Sequence, residues 1–278
     1  MYLYIFNPEA NRGKAKKLKK RIQKYLEDLN IVGEFVELGK DGDVADIVKG
    51  AIKEKIETIV AISGDGVVNE IIQNIVDKDI TLGIVPTGET NLLANILKIN
   101  GWKMGCEILS KGKIIDIDLG LAGDRYFTAS VEIENEIDQE KILGIIPRAK
   151  KKKYYPMTLN IDPEETNLKI QTNVSSIMVS TIPFSSSGNL NLEENLTDKK
   201  LHLLIRSKPI INSKRKKEKN GDELTKLEGE IINIKSKSSI MIKADGEICG
   251  ETPIGIKVVP KSLRIISPEK EATEKTND

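Results

Sequence analysis

The sequence predicts an α/β domain, with a parallel sheet flanked by helices, over residues 1–112, and an all-β sandwich domain over 113–268. Three observations carry that reading. Short apolar runs alternate with helical patterns through the first 110 residues. The turns between them are only a few residues long, which suits a parallel sheet covered by helices. Past residue 112, strand-like runs follow one another with almost no helical periodicity between them.

Taken in order, YLYIF (2–6) is the first strand and Lys14–Asn30 a charged helix. EFVEL (34–38) is the second strand, and Val44–Glu54 a helix opened by Asp41-Gly42-Asp43. ETIVAI (57–62) leads into the helical pattern that follows Ser63-Gly64-Asp65-Gly66, and TLGIV (81–85) into one over 91–97. The second half reads as strands at KIIDIDL (113–119), RYFTASVEI (125–133), MTLNI (157–161), NLKIQ (167–171) and VSSIMVSTI (174–182). LHLLIR (201–206), GEIINI (229–234), SSIMIK (238–243) and SLRII (262–266) continue the series, and residues 269–278 form a polar, disordered tail.

Composition narrows the function. Lys+Arg 43 against Asp+Glu 42 leaves a formal charge of +1, which predicts no nucleic-acid partner. The single histidine, His202, excludes His-based metal clusters and argues against a Ser/His/Asp triad. Cys106 and Cys249 lie far apart and suggest neither a disulfide framework nor a metal site. Met1 runs straight into a strand that stops at Asn7-Pro8, so no signal peptide is expected. No apolar stretch approaches the roughly 20 residues of a membrane span, so a cytoplasmic location is expected. Basic runs stand at Lys14–Lys24, Arg148–Lys153 and Lys214–Lys219. RAKKKKYYP (148–156) reads as a solvated hairpin turn, with contact to an anionic bilayer as the alternative.

Three strand-to-helix turns carry candidate chemistry. NPEANRGKA (7–15) offers Asn7, Arg12, Gly13 and Lys14; SGDGVVNE (63–70) follows the third strand; PTGETN (86–91) follows the fourth. Glycines and small polar residues there bring backbone N–H groups to helix starts, an arrangement that suits phosphate. Asp65 then makes sense if a cation or a proton accompanies the anion. The competing reading of each turn alone is ordinary turn chemistry.

In that order, NPEANRGKA, SGDGVVNEIIQNIV and PTGETNLLANIL resemble the catalytic domain of the diacylglycerol kinase and sphingosine kinase family of lipid kinases. KADGEICG (243–250) and KVVPKSLRIISP (257–268) resemble that family's Asp-Gly-Glu hairpin and proline-flanked last strand. The resemblance implies a nucleotide-binding α/β domain joined to a β-sandwich, with ATP and Mg²⁺ as cofactors. It implies phosphorylation of diacylglycerol or a related lipid, with peripheral contact at the inner membrane face. Asn7 and Arg12-Gly13-Lys14 would border the ATP phosphates, Gly64-Asp65-Gly66 would contact the nucleotide, and Asn69 and Glu70 would brace that loop. Thr87, Gly88 and Asn91 would form a third wall. Glu247 would be the base that takes the acceptor proton, with Asp245 beside it. Asp65 is the candidate metal contact, and Asp198 a second one, in the turn where some bacterial members hold a structural Mg²⁺.

The chain departs from the family pattern in places. Ser63 and Val67 flank Gly-Asp-Gly where Gly and Thr are usual, and Leu92 replaces a common aspartate. Glu89 stands where Thr or Ser is usual, and a carboxylate there repels phosphate unless it is turned away or bridged by metal. VEIENEIDQEKILGIIP (131–147) is acidic where the family is glycine-rich. Two other readings follow: a catalytically impaired relative that binds nucleotide or lipid and regulates something else, and an NAD kinase-like enzyme, since those share Gly-Gly-Asp-Gly.

Overall fold

All five residues of β1 (Tyr2–Phe6) are apolar or aromatic and four are buried, as a strand covered on both faces requires. It pairs in parallel with β2 (Gly33–Glu37) on one side and β3 (Thr58–Ser63) on the other, and β3 pairs in parallel with β4 (Thr81–Pro86). The order β2-β1-β3-β4 sends the chain outward in opposite directions after β1 and after β3. In open α/β sheets, the carboxyl ends at such a switch point are where ligands bind.

The computed structural model describes residues 1–39, 43–134, 154–162, 164–165, 167–184, 195–208 and 223–269. The basic runs at 148–153 and 214–219, Asp41-Gly42, most of the acidic 131–147 stretch and the tail from 270 lie outside the described residues.

The first basic run does not start as an α-helix. Gly13, at φ 79°, opens a 3₁₀ turn over Lys14–Leu18, and α1 (Lys19–Asp28) follows. Ala15, Ile22 and Leu26 are buried while Lys16, Lys17 and Lys20 face solvent. The other helices are α2 (Val44–Lys53), α3 (Asp65–Ile75), α4 (Leu92–Ile96) and α5 (Gly101–Lys111). Asp43 caps α2 by accepting the Ala45 N–H at 2.8 Å. The sequence pattern did not reveal α5. It packs directly on β4, where a Cβ at Gly105 would lie 2.8 Å from Ile84 O and 2.9 Å from Val85 Cα. No helix among the described residues is long and apolar enough to cross a membrane.

The chain divides into two compact units, Met1–Ile117 with the stretch from Lys261 onward, and Asp118–Pro260. The sequence reading draws one boundary at 112; the chain crosses twice. After β5 (Lys113–Ala122), the second unit holds β6 (Arg125–Phe127), β7 (Ser130–Glu134), β8 (Tyr155–Ile161), β9 (Leu168–Ser180) and β10 (Leu201–Ser207). It continues through β11 (Glu223–Gly229), β12 (Ile231–Ser236), β13 (Met241–Ala244), β14 (Glu247–Glu251) and the first part of β15 (Ile254–Ser267). Its strands pair antiparallel in the order β14-β13-β7-β9-β8-β12-β15, with β10 and β11 added on β9. Phe127, Val131, Leu159, Val179, Leu203 and Ile232 belong to its buried core. Two predicted strands fuse into β9, and RYFTASVEI breaks into β6 and β7 at Thr128-Ala129. The sequence reading assigns no strand to β11, three of whose seven residues carry charge.

The last strand belongs to both units. Ile254–Lys257 pairs antiparallel with β12, whereas Arg264 and Ile265 pair in parallel with Thr81 and Leu82 of β4.

Candidate functional site

The three turns of the first unit meet. The Asn7 N–H donates to Ile62 O at 3.1 Å and the Thr87 N–H to Ser63 O at 3.0 Å, so all three begin at one sheet edge. Gly64 and Gly88 pack backbone to backbone: a Cβ at Gly88 would lie 2.5 Å from Gly64 Cα and 2.7 Å from Asn91 Oδ1. Glycine is therefore required at Gly88 by the neighbouring turn, whatever else the loops contact. Asn91, at φ 51°, grips the Gly88 peptide from both sides, accepting its N–H at 2.8 Å and donating to its carbonyl at 3.0 Å. Asp65 Oδ1 accepts the Leu92 N–H and so ties the second turn to the start of α4. Its second carboxylate oxygen makes no hydrogen bond among the described residues.

Only the second turn opens a long helix. The 3₁₀ turn after Gly13 and α4 are five residues each, while α3 has eleven and no side-chain cap on its N-terminus. Its first N–H groups therefore lack partners within the helix. Beside it, Ser63 Oγ and Thr87 Oγ1 are buried with no hydrogen-bond partner among the described residues. A buried hydroxyl left unpaired costs about 1–3 kcal/mol, and these two stand on adjacent strand ends. Ser63 was legible as a departure from the family motif, not as a site residue.

Glu89 is not bare. Arg12 Nε lies 3.0 Å from Glu89 Oε1, and Arg12 Nη2 donates to Oε2 at 3.4 Å, so the first and third turns are joined by a two-pronged ion pair. Arg12 makes this contact from the left-handed region, φ 55°, between Asn11 at 52° and Gly13 at 79°. Of the remaining expected residues, Asn7 Oδ1 accepts the Glu9 N–H at 2.9 Å, which shapes its own turn. Lys14, Gly66 and Glu70 are exposed, and Asn69 is buried in α3.

In the second unit, Asp245 (φ 47°) and Gly246 (φ 87°) form the two-residue turn between β13 and β14. The Asp245 carboxylate accepts four hydrogen bonds. Oδ2 takes the Thr128 N–H at 2.7 Å and the Thr128 hydroxyl at 2.9 Å; Oδ1 takes the N–H groups of Ala129 and Ser130 at 2.9 and 3.0 Å. With its lone pairs filled, Asp245 anchors the link between β6 and β7. Glu247 is 48% exposed and pairs with Arg125, which holds its side chain from β6. Arg125 lies 122 residues away in sequence, and nothing local announces the pairing.

Asp198 sits in an ionic network. It accepts the Lys200 N–H at 2.9 Å and faces His202 Nε2 at 3.0 Å, while His202 Nδ1 lies 3.5 Å from Glu228. The Lys200 ammonium donates to Glu228 at 2.9 Å, which holds the Glu228 carboxyl below its usual range and raises the Lys200 pKa. Among the described residues no group of three or more His, Cys, Asp or Glu could hold a metal ion. Asp198 is engaged by the Lys200 N–H and by His202 Nε2, and no metal-ligand cluster surrounds it among the described residues.

Compared with known proteins, residues 1–122 match the diacylglycerol kinase catalytic domain. A Streptococcus pneumoniae protein that carries the name "Putative lipid kinase" is 26% identical over 97% of this chain and 98% of its own. A Staphylococcus carnosus protein named "Diacylglycerol kinase" is 22% identical over 60% of this chain and 56% of its own. The crystal structure of a diacylglycerol kinase from Bacillus anthracis covers 96% of each chain with a TM-score of 0.73 at 18% identity, a likeness of fold. These likenesses are all to kinases. Residues 1–122 are similar to the diacylglycerol kinase catalytic domain, as the motifs implied, and the chain resembles a protein named as a putative lipid kinase.

Proposed function

We propose that the protein is an ATP-dependent lipid kinase that moves the γ-phosphate to a hydroxyl of diacylglycerol or a related lipid. The observation that carries this is the pair of buried, unpartnered hydroxyls, Ser63 Oγ and Thr87 Oγ1, beside the uncapped N-terminus of α3. Hydroxyl and amide donors grouped in this way suit the phosphate oxygens of a nucleotide. Asp65, whose second carboxylate oxygen is left open, would be the residue on this chain to hold a Mg²⁺ carried with the nucleotide, which would supply neutralisation of phosphate charge. The acceptor oxygen bonds to the γ-phosphorus, the bond to the β,γ-bridging oxygen breaks, ADP leaves, and the hydroxyl proton passes to the Glu247 carboxylate. Arg125 positions that carboxylate. The same hairpin exposes Ile248 (60%) and Met241 (46%), which supports an apolar acceptor delivered from a membrane surface. Glu89, the residue that motivates a non-catalytic relative, is paired with Arg12 across the turns.

The test is transfer of labelled phosphate from ATP, with Mg²⁺, to mixed micelles carrying diacylglycerol, sphingosine or monoacylglycerol. Transfer to one of them that drops at least about 100-fold in Glu247→Gln supports the proposal and names the acceptor. Transfer that survives Glu247→Gln removes Glu247 as the base. Nucleotide binding with no transfer to any lipid overturns the kinase assignment.

A further inference from the structure

Residues 14–24 carry seven cations and no carboxylate, in a chain whose total charge is +1. Lys19 pairs with Glu37. Lys17, Lys20, Arg21 and Lys24 are exposed and form no ion pair or hydrogen bond among the described residues. In α1, Lys24 follows Lys20 by four positions and Arg21 by three, so the three share the face opposite buried Ile22 and Leu26.

Helix α5 joins this face. Trp102 is half-buried, with Arg21 Cζ 5.5 Å and Lys103 Nζ 5.9 Å from its ring centroid. Tyr25 of α1 meets that ring edge-on at 5.7 Å and donates its hydroxyl to Glu107 at 2.6 Å. Glu107, the one acidic residue of α5, is thereby engaged across the two helices.

A solvated helix face accounts for exposed lysines but not for this placement. Cations in the first turn of a helix oppose its dipole, yet α1 opens with Lys19-Lys20-Arg21 and has no acidic residue there. A face kept for solubility alone would mix the two signs. Nor does packing account for a tryptophan held under two cations. Cations that attract anionic headgroups, around an amphipathic ring suited to headgroup level, have the chemistry of a bilayer interface. The near-zero total charge confines the attraction to one face, as docking on a planar surface requires.

We propose that this face of α1 and α5 docks the protein on anionic lipid bilayers, through Lys17, Lys20, Arg21, Lys24 and Lys103, with Trp102 at headgroup level. It gives the lipid-kinase reading a surface that meets the membrane, and it stands whether or not that reading does.

The experiment sediments the full chain, without nucleotide or diacylglycerol, with vesicles of equal parts phosphatidylglycerol and phosphatidylcholine, and with phosphatidylcholine alone. Trp102 is the only tryptophan of the chain, so its emission on the same samples reports from the face itself. The variants are Lys20→Gln/Arg21→Gln/Lys24→Gln, Trp102→Phe and a charge-matched control elsewhere in the first unit, Lys53→Gln/Lys55→Gln/Lys78→Gln. All six positions of the two triple variants are exposed, so both should melt within about 2 °C of the parent. Three results together support the docking face. Binding is confined to the anionic vesicles and falls with added salt. It is at least about tenfold weaker in the α1 variant than in the control, and a few-fold weaker in Trp102→Phe. Trp102 emission moves to shorter wavelength on binding. Absence of binding to anionic vesicles, equal losses in the two triple variants, or unmoved Trp102 emission overturns the proposal. Tighter binding to duplex DNA than to vesicles also overturns it and gives the face to a nucleic acid.

Discussion

Arg12 and Glu89 stand 77 positions apart in the chain and close on each other across the turns of the first unit. Their side chains are 83% and 49% exposed, so the pair is worth at most about 1 kcal/mol. A nucleotide carries several negative charges, and a phosphate can draw the guanidinium away at little cost while Glu89 remains as a repelling neighbour. Glu89→Gln removes that repulsion and frees Arg12. Nucleotide affinity in the variant should rise about two- to fivefold at low salt, and the gain should shrink as ionic strength shortens the screening length. Titration with ATP at two salt concentrations reads both effects. Unchanged or weaker binding at low salt would mean that Arg12 serves the site only while Glu89 holds it.

The β13–β14 hairpin separates two acidic residues that the sequence places side by side. Asp245 fills four hydrogen bonds to Thr128, Ala129 and Ser130, while Glu247 is exposed and paired with Arg125. In Asp245→Asn the amide turns a donor toward donors, leaving about two hydrogen bonds unmade at about 1–2 kcal/mol each. That corresponds to a melting point lower by roughly 5–12 °C, whereas Glu247→Gln should melt within about 2 °C of the parent. A calorimetric scan of both variants decides; a silent Asp245→Asn would show that the hairpin does not depend on its anchor. This division marks what sequence can show at this scale. The turns were legible because glycine and asparagine report local backbone geometry, and the parallel strands because burial on both faces leaves continuous apolar runs. The anchor role of Asp245, the partner of Glu247 and the answer to Glu89 were hidden, since each depends on a contact between distant segments. Helix α5 was missed as well, and the close approach of Gly105 to β4 is again a contact that no local pattern shows.

At the scale of the whole chain, the least legible feature is the return of the C-terminus to the first unit. A run such as SLRII shows that a strand exists, but strand partners are set by long-range pairing that no local pattern encodes. Here Arg264 and Ile265 extend the parallel sheet beyond β4, and Leu263, Ile265 and Ile266 are at most 5% exposed. Arg264 also pairs with Asp79 in the turn before β4, and its guanidinium lies 3.6 Å from Asp116. Burying three large aliphatic side chains contributes about 5–8 kcal/mol, comparable to the whole stability of an ordinary domain. A chain ended at Pro260 would leave β4 as an open edge along Thr81 and Leu82. Such a protein should lose cooperative melting of its first unit and, with it, nucleotide binding, because the turns after β3 and β4 are held by those strands. Adding residues 261–269 back at the end of the truncated chain should restore both. A truncated chain that binds nucleotide with the parent's affinity would show that four parallel strands suffice to shape the site, and that the returning segment serves only the second unit.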